Sequence, residues 1–111
     1  MPVRRPLIDR VREALEDVPR VKEKQMFGGV AFMVNGKMCI TARPQRLMCR
    51  IDPELHDRAI KRPGVRTVKM NGHAYRGFVH VRADVVATKR SLDRWVRLCL
   101  DYNKRAKSSS R

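Results

Sequence analysis

The sequence predicts an α+β domain, with elements in the order α-β-β-β-α-β-β-α and an antiparallel sheet whose helices pack mainly on one face. Three observations lead there. Apolar residues recur with a helical period at both ends of the chain. Two Asn-Gly dipeptides, each between short β-prone runs, occupy the middle. A segment opened by Asp-Pro and closed by Pro-Gly separates them.

In the first element Leu7, Ile8, Val11, Ala14, Leu15 and Val18 form one apolar stripe of a helix. Pro6 suits its first turn, and Pro19 stops it by excluding helical geometry at Val18. The opposite face, with Asp9, Arg10, Arg12, Glu13, Glu16 and Asp17, is nearly neutral. Arg20 to Lys24 reads as a basic linker. Met26 to Val34 is too β-branched and Gly-marked for a helix and reads as a strand. Asn35-Gly36 turns it into Lys37 to Ala42, because a type I′ turn needs positive φ at two residues. Arg43-Pro44-Gln45-Arg46 turns again into Leu47 to Ile51, giving a three-stranded meander.

Asp52, Pro53 and Glu54 are a helix start, and Pro63-Gly64 ends that helix after Leu55, Ala59 and Ile60 have supplied its buried side. Val65 to Met70, Asn71-Gly72 and Ala74 to Val81 repeat the hairpin, which must join the first three strands because two strands alone are marginal. Thr88 caps a last helix in which Leu92, Trp95, Val96, Cys99 and Tyr102 face inward. Residues 1–106 are expected to form one domain, and 107–111, with three serines between Lys107 and Arg111, a flexible basic tail.

With 111 residues, 42% of them apolar, the chain is long enough for its own core and is not of disordered composition. No apolar run is long enough to span a membrane, and the start does not read as a secretory signal, so a cytoplasmic location is expected. The net charge is +15, of which residues 1–52 hold +5 and residues 53–111 hold +10. Lys89, Arg90, Arg94, Arg97, Lys104 and Arg105 lie along the last helix as a basic stripe, the candidate contact for nucleic acid. Non-specific association with phosphate backbone is the most that such a stripe supports. The aromatic residues are few and scattered, without the pattern of a base-stacking platform.

Nothing in the sequence pairs a nucleophile with a base or sets two carboxylates apart in environment, so no catalytic residue, metal site or cofactor is expected. His56, His73 and His80 read as surface or half-buried imidazoles, with His80 on the wetter side of its strand. Cys39, Cys49 and Cys99 lack ligand spacing and read as reduced thiols, with Cys39 and Cys49 near one another across a hairpin. Gly28-Gly29 precedes a strand, not a helix, so it is no phosphate loop but a bulge or close approach.

The run Met26-Phe27-Gly28-Gly29-Val30-Ala31-Phe32-Met33-Val34-Asn35-Gly36-Lys37-Met38-Cys39 closely resembles the opening of the TfoX/Sxy N-terminal domain. Leu47 to Ile51 with Pro53-Glu54, Met70-Asn71-Gly72 with Gly77 to Val81, and Ser91 to Val96 including Trp95 are similar to the same family in the same order. Together these blocks span about residues 7–106. The resemblance implies an α+β fold and a link to regulation of natural competence, where the founding members work with the cyclic-AMP receptor protein. Those regulators also carry a helical C-terminal domain, and these 111 residues correspond to the first domain alone. The resemblance brings no catalytic residues. A small regulatory or adaptor domain, acting through protein contacts and associating with nucleic acid, is the first expectation. A ligand-binding or enzymatic pocket near Gly28, Gly29, His73, Tyr75 and His80, or a structural homodimer, are the alternatives.

Overall fold

Six antiparallel strands form one sheet in the order β1-β2-β3-β4-β6-β5, with the helices on one of its sides. The computed structural model describes residues 5–26 and 28–106, so Phe27 of the glycine motif and the tail at 107–111 lie outside the described residues. The elements are α1 (Leu7–Ala14), β1 (Val21–Met26), β2 (Gly29–Val34), β3 (Lys37–Ala42), β4 (Arg46–Arg50), a 3₁₀ turn Pro53–Leu55 running into α2 (His56–Ala59), β5 (Val65–Met70), β6 (His73–Arg82), a second 3₁₀ turn Ala83–Val86, and α3 (Lys89–Asn103). The expected α+β order is present, with one strand more at its front.

That additional strand corrects the reading of Arg20 to Lys24 as a linker. β1 pairs with β2 from Val21 opposite Val34 to Met26 opposite Gly29. Five of its six residues are exposed, so it has no burial alternation to announce it. Backbone pairing to β2 makes it a strand, and its lysines suit an edge that must not recruit another chain. The segment 26–34 is correspondingly two strands joined by a turn at Gly28, whose φ is +72°.

The two Asn-Gly turns form as expected, with positive φ at Asn35, Gly36, Asn71 and Gly72. α1 is shorter than its apolar stripe: after Ala14 the bonds tighten to Glu16 N–H on Glu13 O and Val18 N–H on Leu15 O. Thr88 caps α3 by accepting from Ser91 N–H at 3.1 Å, and Asp52 caps the 3₁₀ turn by accepting from Glu54 N–H at 2.9 Å.

The core lies between the sheet and the helices. Val30, Phe32 and Val34, Ile40 and Ala42, Leu47 and Cys49, and Val79 and Val81 meet Leu7, Val11 and Leu15 of the first helical segment and Leu92, Trp95, Val96 and Cys99 of α3. Asn103, buried at the end of α3, donates to Val34 O, accepts from the Asn35 amide, and its carbonyl accepts from Lys37 Nζ at 2.7 Å. The first hairpin is thereby tied to the last helix.

All three cysteines are free and buried in this layer. Ile40, next to Cys39, stands opposite Cys49, so the expected Cys39/Cys49 neighbourhood holds. Burial pushes the Cys99 thiol well up, and hydrogen bonding with Cys39 and Cys49 adds to this. Since the thiolate is the reactive form, native protein is expected to leave a colorimetric thiol reagent unreacted for hours while denatured protein releases three equivalents. Rapid reaction of two thiols in native protein would show that the core opens at the cluster.

His56 is 4% exposed, which corrects its reading as a surface or half-buried group. Its Nδ1 accepts from Gly77 N–H at 2.9 Å and its Nε2 lies 2.9 Å from Thr67 Oγ1. A donor at Nδ1 assigns the proton to Nε2, which then donates to threonine. His56 is a brace between α2, β5 and β6.

Candidate functional site

Alternate residues of a strand point to opposite sides of a sheet. With one side filled by the core, the register determines what the other presents. One row crosses all six strands: Lys24 opposite Ala31, Ala31 opposite Thr41, Thr41 opposite Met48, Met48 opposite His80, and His80 opposite Arg66. On one flank of this row lie Lys22, Met33 and Met38, with Arg50 opposite Phe78. On the other lie Met26, opposite Gly29, and Arg46, opposite Arg82.

No helix covers this side among the described residues. Lys22, Lys24, Met26, Arg46, Arg66 and Arg82 are exposed, while Met33, Met38, Met48, Phe78, His80 and Arg50 are half-buried. Glu23 is the one acidic residue in the six strands. It points to the other side, where it pairs with Arg12 of α1 at 2.7 Å, and that guanidinium holds its carboxyl below the usual range. The uncovered face therefore has a methionine-rich centre and a cationic rim. Arg82 alone on this rim has an acidic neighbour, Asp84 at 2.6 Å.

The glycine motif serves this face. A Cβ at Gly29 would run into the Ala42 carbonyl and come 2.8 Å from Arg43 Cγ, and one at Gly28 would lie 4.0 Å from Arg43 Nη1. The absent side chain of Gly29 lets Arg43 pack over the start of β2. Arg43 and Arg46 in turn act on His80, whose pKa is lowered first by burial and then by these two charges.

Aromatic groups gather at the other end of β6. Tyr75 meets Phe78 edge to face with centroids 6.5 Å apart. The Arg50 guanidinium sits 5.4 Å from the Phe78 ring and 5.9 Å from that of Tyr102. Three polar atoms of these strands are buried without a hydrogen-bond partner among the described residues: Thr41 Oγ1 and His80 Nδ1 in the central row of this face, and Arg50 Nη1 at the end of β4, where the guanidinium reaches Tyr102 of α3. Buried polar atoms are normally paired, so two orphans in one row of a sheet are a feature in need of a cause.

The basic stripe expected on α3 lies on the opposite side of the molecule. Lys89, Arg90, Arg94, Arg97 and Lys104 line a groove between α1 and α3, together with Glu13, Glu16, Asp17, Asp84, Asp93 and Asp101. Lys89 donates to Asp93 at 2.8 Å. Arg105 turns away to Asp52 at 3.1 Å and lies 5.3 Å from the Tyr102 ring. The groove is thus of mixed charge. Of the alternative pocket, Gly28, Gly29 and His80 lie toward the Arg43 end of the sheet and His73 and Tyr75 toward the β5–β6 turn, so they do not line one concavity. Of the motif residues, Met26, Gly28 and Gly29 shape the start of the sheet, Asn35 and Gly36 the first hairpin, Gly77 the packing of β6, and Trp95 the core.

The uncovered face went unread in the sequence because methionines at strand positions read as core. Its signal was the alternation Thr41, Met48, His80 across strands, which requires the register.

The family model described as the TfoX N-terminal domain matches residues 13–102. No curated protein and no solved structure matches the chain.

Proposed function

Since the chain belongs to the TfoX N-terminal domain family and turns a cationic sheet face to solvent, we propose that it is a small cytoplasmic regulatory or adaptor domain that works by docking and not by catalysis. The founding members' link to competence makes regulation the reading for this chain also. Protein contacts suit the mixed-charge groove between α1 and α3, and association with a polyanion suits the sheet face.

The observation that supports this most is the asymmetry of charge across the sheet. On the helix side, acidic residues stand among the basic ones. On the sheet side, Lys22, Lys24, Arg43, Arg46, Arg50 and Arg66 have no carboxylate among them on the strands. Like charges meeting across that face oppose pairing with a second copy. An immobilised wild-type domain is expected to retain macromolecular partners from cell extract at moderate salt, and Arg46→Glu with Arg66→Glu to lose those held by the sheet. Retention of the same set by wild type and by this variant would remove the sheet face from the function.

A further inference from the structure

We infer that the uncovered sheet face binds single-stranded nucleic acid, a proposal that rests on the docking reading above and names its partner. Four properties of the face converge on this ligand. Its rim is cationic on both long sides, with Lys22 and Lys24 on β1 and Arg66 on β5, and Arg43 and Arg46 at one end. Phosphates along a strand can follow such a rim, releasing counterions as they bind.

Its centre is apolar and half-buried, with Met33, Met48 and Phe78, and Tyr75 lies against Phe78 at the edge. Flat base faces pack on methionine and aromatic groups without demanding one sequence. The orphaned atoms of Thr41 and His80 lie in the central row of the same face. A hydroxyl and an imidazole nitrogen are groups that base edges and phosphate oxygens would satisfy. Thr41 is 4% exposed, so bulk water does not serve it.

The shape decides between single strand and duplex. Six strands at about 4.8 Å spacing make a face roughly 24 Å across. A major groove about 12 Å wide admits a helix or a two-stranded ribbon. Among the described residues nothing helical projects from this side, so a duplex could touch it only along one backbone, whereas an open strand can lie across it. An acidic protein segment would meet the rim equally well, but it would bring no flat base faces for the methionine and aromatic groups of the centre.

The test is fluorescence anisotropy with labelled oligo(U) and oligo(dT) of about a dozen nucleotides, and a duplex of equal length, at roughly 50 and 200 mM salt. Three variants of the full chain accompany wild type: Lys24→Gln/Arg46→Gln/Arg66→Gln on the face, Arg90→Gln/Arg94→Gln/Arg97→Gln on α3, and Tyr75→Ala. All seven positions are exposed, and an unchanged melting curve confirms folding. With about five phosphates contacted, affinity for the single strands should fall roughly a hundredfold between the two salts. The face variant should lower the logarithmic salt slope by about 2 and weaken binding at least tenfold at low salt, while the α3 variant changes it less than about threefold. Tyr75→Ala should cost about tenfold at both salts, as a stacking contact does. Tighter binding of the duplex, or equal losses from the face and α3 variants, would overturn the inference. Labelled polyglutamate that binds wild type and not the face variant, where neither oligonucleotide binds, would overturn it also and leave the docking reading standing. If the face variant alters nothing in this assay or in capture from extract, both fall.

Discussion

Trp95→Ala is expected to destabilise the domain by about 3–5 kcal/mol, the range for truncating a buried aromatic side chain. Trp95 is 3% exposed on the inner side of α3, at the positions with Leu92, Val96 and Cys99 that seat this helix on the sheet. Truncating the indole removes a large apolar area from the core and leaves a hole that flanking β-strands, held by their ladders, cannot close. A domain of this size has about 5–15 kcal/mol in total, so the variant should denature at much lower urea with an unchanged slope, and its midpoint temperature should drop by about 12–20 °C. Arg94→Ala, one residue before it and exposed, should change stability by less than about 0.5 kcal/mol. A cost below about 1 kcal/mol for Trp95→Ala would mean that α3 is not seated through this residue.

That helix was legible in the sequence because its information is local: a cap residue and an apolar stripe suffice to place it. The hairpins were legible for the same reason, since Asn35-Gly36 and Asn71-Gly72 carry their own backbone geometry. β1 was not. Val21 to Met26 takes its strand conformation from pairing with β2, and an edge strand of mostly exposed residues shows no pattern to read. His56 was misread because its partners lie 11 and 21 residues away.

The candidate site was hidden by the same non-locality. Each methionine and arginine of the uncovered face was visible singly, but the row from Lys24 to Arg66 draws one residue from each of six strands. The basic stripe on α3 was easy to see because a helix displays its faces in sequence. What the sequence could not display was the acidic residues of α1 across the groove from it. Among the described residues the fold thus sets a helix side of mixed charge against a sheet face whose strands bring no carboxylate to it.

The β6 bulge links that face to the brace beneath it, and disrupting it should be the second large effect. Between Thr67 opposite Val79 and Val68 opposite Tyr75 the register shifts, so Arg76, Gly77 and Phe78 form an excursion in β6. Gly77 has φ +92°, accepts from Ile51 N–H at 2.8 Å and donates to His56 Nδ1 at 2.9 Å. A Cβ there would stand 3.1 Å from Ile51 O and 3.2 Å from Pro53 Cγ. Gly77→Ala therefore meets both a backbone conformation that L-residues resist and a wall that must give, for about 2–4 kcal/mol. His56→Ala leaves a cavity and orphans the Gly77 N–H, for a similar cost. Because each change spoils the same hydrogen bond, the double variant should lose about 1–2 kcal/mol less than the two singles together. Strict additivity in urea melts would show that the histidine and the glycine act separately. Phe78 follows Gly77 directly and touches Tyr75, so folded Gly77→Ala protein should also show a changed near-ultraviolet signal from the tyrosine on the sheet face.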